Sequence, residues 1–245
     1  ACGDLHTVFL TENDGIFTTG YNGNGALGDN STTNRTSPVK VYLYEKIIRI
    51  FAAYRSTYFL TENNEVYACG YNNYGQLANG NVSQQTIPVK IQFDQKVKDI
   101  VPGKECVFFV TNENKVYACG RNNEGQFGLG FSNNSTGNHT PQEVFTNFDV
   151  AKVFAGLHST YILTTDYSVY ACGQNNQGQL GNTNTTQQNT PVEIGVKNVI
   201  NVTSSPNGCQ FVFYNTGNNK LSVKHLNVQF YNSKLEANFT IGNTD

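Results

Sequence analysis

The residues with chemistry to offer are one glycine-rich string, six cysteines and four histidines. Gly23-Asn24-Gly25-Ala26-Leu27-Gly28 has the G-x-G-x-x-G spacing of a dinucleotide site, in which glycines let backbone amides approach a pyrophosphate at a helix start. Cys2, Cys69, Cys106, Cys119, Cys172 and Cys209 could cross-link, hold a metal or sense an oxidant. A metal would need ligands at short, matched spacings. No C-x-x-C pair exists, and His6, His139, His158 and His225 are scattered. Hydrolytic catalysis fares no better: there is no G-x-S-x-G elbow, no H-E-x-x-H, and no carboxylate pair at a recurring position.

The elements that must position these residues come as a repeat. FTTGYNGNGALG, VYACGYNNYGQLA, VYACGRNNEGQFG and VYACGQNNQGQLG place glycines at Gly20, Gly70, Gly120 and Gly173, and a second set at Gly25, Gly75, Gly125 and Gly178. Each unit then carries a proline, at Pro38, Pro88, Pro141 and Pro191. Gly3, Ala53, Gly103 and Gly156 stand 17 residues before the first glycine, and successive units are 50, 50 and 53 residues apart. In this frame the dinucleotide reading fails. The other units read NNYGQLA, NNEGQFG and NNQGQLG, so the first glycine is dispensable, and no helical pattern follows; the string is a turn. Cys69, Cys119 and Cys172 share one repeat position, while Cys106 and Cys209 share another, four residues downstream of that of Cys2. They read as small buried hydrophobes rather than a metal ring or redox device, free as thiols in a reducing compartment. No cofactor, metal or catalytic residue is expected, and the chain reads as a non-enzyme.

Repeats of ~40–50 residues mark propeller blades or solenoid turns. Here every segment is of β type. TVFLT, TYFLT, VFFVT and TYILT are dense in β-branched and aromatic residues, a turn cluster follows each, and IFTTG or VYACG completes a hairpin. The Asn-x-x-Gly turn comes next, then an apolar plug (Leu27, Leu77, Phe127, Leu180) and a polar loop. Two further strands, VKV-like and KIIRI-like, lead into the next unit. The expected fold is all-β, a propeller or partial propeller of about five four-stranded blades. It forms a single domain over 1–245, with repeats at about 1–50, 51–100, 101–150 and 151–200 and a degenerate fifth at 201–245, where LNVQFY and LEANFTI alternate without the glycine motif. Composition agrees: 34 asparagines suit turns, charged residues are only 14%, and no apolar run approaches the ~18 residues of a spanning helix. A net charge of −2 and a pI near 6.1 argue against a nucleic-acid or anionic-membrane partner. The Asn-x-Ser/Thr sequons, at Asn30, Asn81, Asn134, Asn184, Asn201 and Asn238 among others, are the number that chance produces in so Asn- and Thr-rich a chain.

The pattern G-x-x-[HS]-x-x-x-L-T…V-Y-x-C-G-x-N-x-x-G-Q-L-G…P resembles the repeat of the regulator of chromosome condensation family, over residues 1–200 in four units. That resemblance implies a β-propeller, usually seven-bladed. It also implies that the position of His6, shared with Ser56, Cys106 and Ser159, anchors a strand by a hydrogen bond rather than serving catalysis. Thr19, Cys69, Cys119 and Cys172 replace the family's usual aromatic. With about five units, three arrangements fit: a closed five-bladed ring, an open arc, or part of a longer propeller, which the Met-free start and motif-poor end favour. A cytoplasmic or nuclear location is favoured.

Repetition within the chain marks what each blade needs, and departures from it are free for partners. Directly after the Gly3 position come Asp4-Leu5, Tyr54-Arg55, Lys104-Glu105 and Leu157-His158, at a loop entering a strand. These should line one end of the propeller, and aromatic and Arg residues on a rigid surface are what binding hot spots are made of. Tyr74, Glu124 and Gln177 vary similarly in the Asn-x-x-Gly turn. The expected function is a non-enzymatic scaffold that binds another protein through this face, a small GTPase or a component of a larger assembly. The alternative is guanine-nucleotide exchange on a small GTPase, the activity of the family's founding member. There the resemblance implies a wedge protruding from one blade and a basic tail. Units that differ by at most three residues leave no room for a wedge within 1–200, and the chain has no basic tail. A third class, inhibition of a secreted hydrolase as in related bacterial propellers, ranks last.

Overall fold

The computed structural model describes residues 1–13, 15–197 and 199–204 and the strands 210–215, 221–226, 229–230 and 233–234. Cys209, the segment LEANFTI and the Asn238 sequon lie outside the described residues. Among the described residues there is no helix. The first sheet is β1 (His6–Leu10), β2 (Ile16–Gly20) and β3 (Arg35–Val41). The second is β4 (Ile47–Ala52), β5 (Ser56–Thr61), β6 (Val66–Gly70) and β7 (Gln85–Lys90). The third is β8 (Val97–Pro102), β9 (Cys106–Thr111), β10 (Val116–Asn122) and β11 (Asn133–Val144), and the fourth β12 (Val150–Ala155), β13 (Ser159–Thr164), β14 (Val169–Gly173) and β15 (Gln188–Glu193). The fifth is β16 (Val199–Ser204), β17 (Gln210–Asn215) and β18 (Leu221–Leu226), with a two-stranded ribbon of β19 (Gln229–Phe230) and β20 (Ser233–Lys234). Each sheet is an antiparallel meander. The KIIRI-like strand that closes each sequence repeat opens the next sheet. The first sheet has three strands, and Cys2 bridges Thr7 of its first strand.

The chain forms two compact units, Ala1–Asn122 with Asn133–Val144, and Asn123–Ser132 with Phe145–Asp245. In the first, Val8, Ile16 and Val41 pack against Ile47, Phe59 and Cys69, and a larger core joins Tyr58, Leu60 and Leu77 to Val97, Ile100, Val107 and Phe109. The Tyr58 and Phe109 rings meet edge to face, with centroids 6.4 Å apart. The second unit is centred on Tyr161, Leu163, Val169 and Leu180 with Val199 and Val202. Such cores explain why β5, β9 and β13 are buried at every position: with both faces covered, a strand has no use for alternation. The repeat prolines Pro38, Pro88, Pro141 and Pro191 all fall in the last strand of the meander, in β3, β7, β11 and β15, at a sheet edge where the missing N–H costs no ladder hydrogen bond.

The Asn-x-x-Gly turn is held by its asparagine. Asn72 is fully buried; its Oδ1 accepts from Leu77 N at 2.8 Å, and its Nδ2 donates to Asn81 O at 3.0 Å and Ser83 O at 2.9 Å. Asn175 repeats this with Leu180 N, Asn184 O and Thr186 O, and Asn22 with Leu27 N and Ser31 O. One side chain thus fixes both the apolar plug and the start of the polar loop. A carboxylate, which only accepts, could not take this place.

Candidate partner-binding face

The strand-ending glycine and the variable residues are two halves of one device. Gly70 has φ +108°, and a Cβ there would fall 2.4 Å from the carbonyl oxygen of Arg55. The same 2.4 Å clash would arise between Gly20 and Leu5 O, Gly120 and Glu105 O, and Gly173 and His158 O. Each of these carbonyls accepts the N–H of the residue after the glycine: Tyr21 to Leu5 and Tyr71 to Arg55 at 2.8 Å, Arg121 to Glu105 and Gln174 to His158 at 2.9 Å. Glycine is required because the backbone of the loop residue presses against it. Its successor is thereby brought beside the variable pair.

In the first unit these positions assemble into a cluster of tyrosines and cations. The Arg55 guanidinium carbon lies 5.3 Å from the Tyr21 ring centre and 4.7 Å from that of Tyr54, and Lys104 Nζ lies 5.3 Å from the same Tyr54 ring. Asp4 joins through its backbone, its N–H donating to Tyr54 O at 3.2 Å, and Leu5 is exposed. Beside them Arg121 pairs with Glu105 at 2.6 Å and lies 5.4 Å from the Tyr74 ring centre, and Tyr74 meets Tyr71 edge to face at 6.3 Å. Burial pushes the Tyr71 phenol above its ordinary value, helped by Tyr74 and Glu105 and opposed by Arg55. Leu157 and His158 occupy the same repeat position in the second unit, both half-buried. Sequence reasoning passed over Tyr21, Tyr71 and Arg121. The signal was available, since the residue following each repeated glycine also varies.

His6, Cys69, Cys119 and Cys172 are hydrogen-bonded within the fold. His6 Nε2 is 2.9 Å from Thr57 Oγ1, whose hydroxyl donates to Ala26 O at 2.7 Å, so the ring N–H donates to the threonine. Burial lowers the His6 pKa to about 4, with Asp4 opposing and the N-terminal ammonium adding to the shift, so the imidazole is neutral at pH 7. Of the described cysteines Cys2 is exposed and Cys69, Cys106, Cys119 and Cys172 are buried, all free. Cys69 Sγ donates to Ala26 O, Cys119 Sγ to Gly75 O and Cys172 Sγ to Gln126 O, each time linking a sheet to the preceding Asn-x-x-Gly turn. Burial raises the Cys106 thiol to about 12 and those of Cys69 and Cys119 further. Such thiols are poor nucleophiles and poor metal ligands.

All-β meanders repeated at this spacing, each with the same internal glycine–carbonyl contact, define an RCC1-type β-propeller fold. The RCC1-like domain matches residues 1–217, and the chain belongs to that family. The structure is similar to Prp20p from Saccharomyces cerevisiae, a protein characterised for binding to Gsp1p and histones, at a TM-score of 0.75 and 22% identity over 91% of this chain and 56% of that one. It is also similar to human WBSCR16, at a TM-score of 0.72 and 21% identity over 84% of this chain and 55% of that one. The probable E3 ubiquitin-protein ligase HERC4 of Homo sapiens is 49% identical over 41 residues, 17% of this chain and 4% of the ligase. The chain therefore spans a little over half the length of these solved structures and a small part of HERC4.

Proposed function

We propose that this chain is a non-enzymatic protein-binding module. Its contact residues are Asp4, Leu5, Tyr54, Arg55, Lys104 and Glu105 of the first unit, with Leu157 and His158 at the same repeat position in the second. The observation that carries the reading is the stacking of Arg55 on both Tyr21 and Tyr54 with Lys104 on the same Tyr54 ring. Tyrosine and arginine supply large contact area at low entropic cost and dominate interface energetics. Membership of the RCC1-like family is consistent with such a role. The test is affinity capture with chemical cross-linking, the parent chain beside a Tyr54→Ala, Arg55→Ala, Lys104→Ala variant. A partner that cross-links to the parent and is lost with the variant supports the face; unchanged recovery rejects it. The second reading, guanine-nucleotide exchange on a small GTPase, is favoured by the likeness to Prp20p. Accelerated nucleotide release from a GTPase panel at substoichiometric protein would replace scaffold with exchange factor.

A further inference from the structure

We propose that the partner reaches this face with an acidic, extended segment, whose carboxylates at alternate positions are taken by Arg55 and Lys104 beside Tyr54. This rests on the partner-binding reading above and names the chemistry of what binds. Among the described residues, no carboxylate lies within ion-pair distance of Arg55 or Lys104, whereas the neighbouring Arg121 is paired with Glu105. Arg55 Nε is covered from solvent and has no hydrogen-bond acceptor. The terminal nitrogens of Arg55 are not among the covered atoms and make no ion pair, so these are the donors an incoming carboxylate, the acceptor a guanidinium fits best, would meet. Asp4, the other acid of the cluster, makes no ion pair among the described residues, so two uncommitted cations face one uncommitted acid. The chain as a whole carries −2, so this positive island stands against an acidic background.

The spacing selects the form of the ligand. Both cationic groups lie about 5 Å from one ring centre, so they are no more than about 10 Å apart. Side chains two residues apart on an extended segment project to the same side roughly 7 Å from each other, which falls within that limit. The Tyr54 ring that both cations share adds an apolar contact surface beside them. A nucleic acid would require a long basic track, which two cations do not make.

The probe is a fluorescein-labelled peptide of alternating Glu and Gly, with its Gln-Gly counterpart as control, titrated with the full chain by anisotropy at low ionic strength. The Glu-Gly peptide is expected to bind and the Gln-Gly peptide not to. Arg55→Gln and Lys104→Gln should each weaken binding by about tenfold, or ~1.4 kcal/mol, and added salt should weaken it further. Thermal melts of both variants, expected to match the parent, exclude misfolding. Equal binding of the two peptides, or undiminished binding by the double variant, overturns the proposal. So does tighter binding of oligo-dT or inorganic phosphate that depends on the same two residues. If the peptide fails while the triple alanine variant still loses its cross-linked partner, the acidic inference falls alone; if both fail, the face itself was misassigned.

Discussion

His6 allows a pH effect to be worked out from one buried group. Its pKa is about 4 in the folded chain against an ordinary 6.5, because burial penalises the imidazolium and outweighs the pull of Asp4. Between these values the unfolded chain binds the proton and the folded chain does not. Stability from this group is therefore complete above about pH 6.5, falls as pH drops towards 4, and changes no further below that. From pH 7 to pH 5 the loss is about 2 kcal/mol, which for a chain of this size lowers the melting temperature by roughly 4–8 °C. The perturbation is His6→Gln, whose amide can still donate to Thr57 Oγ1 but cannot titrate. Melting or urea curves of parent and variant at pH 7 and pH 5 give the difference, in which other histidines and carboxylates cancel. The parent should lose about 2 kcal/mol more than the variant. Equal losses in the two proteins would refute the account of His6 as a buried neutral donor.

Other substitutions test the repeat. Asn72→Ala should cost about 3 kcal/mol in urea unfolding, since it strips the acceptor from Leu77 N–H and the donor from Asn81 and Ser83 carbonyls, while Asn73→Ala at the exposed neighbour should stay within about 0.5 kcal/mol. Gly70→Ala should cost about 2–4 kcal/mol, because the new Cβ meets Arg55 O and Ser56 Cα. Gly195→Ala, at φ +68° with nothing within 4 Å, should cost only the ~1 kcal/mol of the left-handed conformation. Thiol titration of the native chain should find Cys2 reacting at once and Cys69, Cys106, Cys119 and Cys172 protected, with all six reactive after unreduced denaturation. Loss of free thiol in the denatured sample would show a disulfide and contradict the free, high-pKa state of the buried cysteines.

Much of this was legible in the chain because a repeat separates local requirements from everything else. Positions that recur at Gly20, Gly70, Gly120 and Gly173 answer to backbone geometry alone, and φ near +100° at all four is that geometry. The strands were visible for a related reason: STYFLT and CVFFVT are continuous β-formers because both faces of a central strand are covered. The asparagine excess also had a structural cause. An amide accepts from the plug with its oxygen and donates two hydrogens to the loop with its nitrogen, as Asn72 and Asn175 do.

What the order of residues settled by itself was the module: hairpin, glycine stop, asparagine turn and proline-bearing edge strand, each written within a dozen neighbouring positions. What tertiary structure alone decided was the company these residues keep. Tyr21 and Arg55 come from different repeats, as do Lys104 and Tyr54, His6 and Thr57, and Cys69 and Ala26. The strand that follows each proline-bearing strand joins the following sheet. Periodicity in a sequence reports the backbone of one module, whereas a contact across some 35 to 50 residues depends on how modules stack. Stacking is driven by non-directional burial of apolar surface, which leaves no mark on the spacing of the polar residues it brings together.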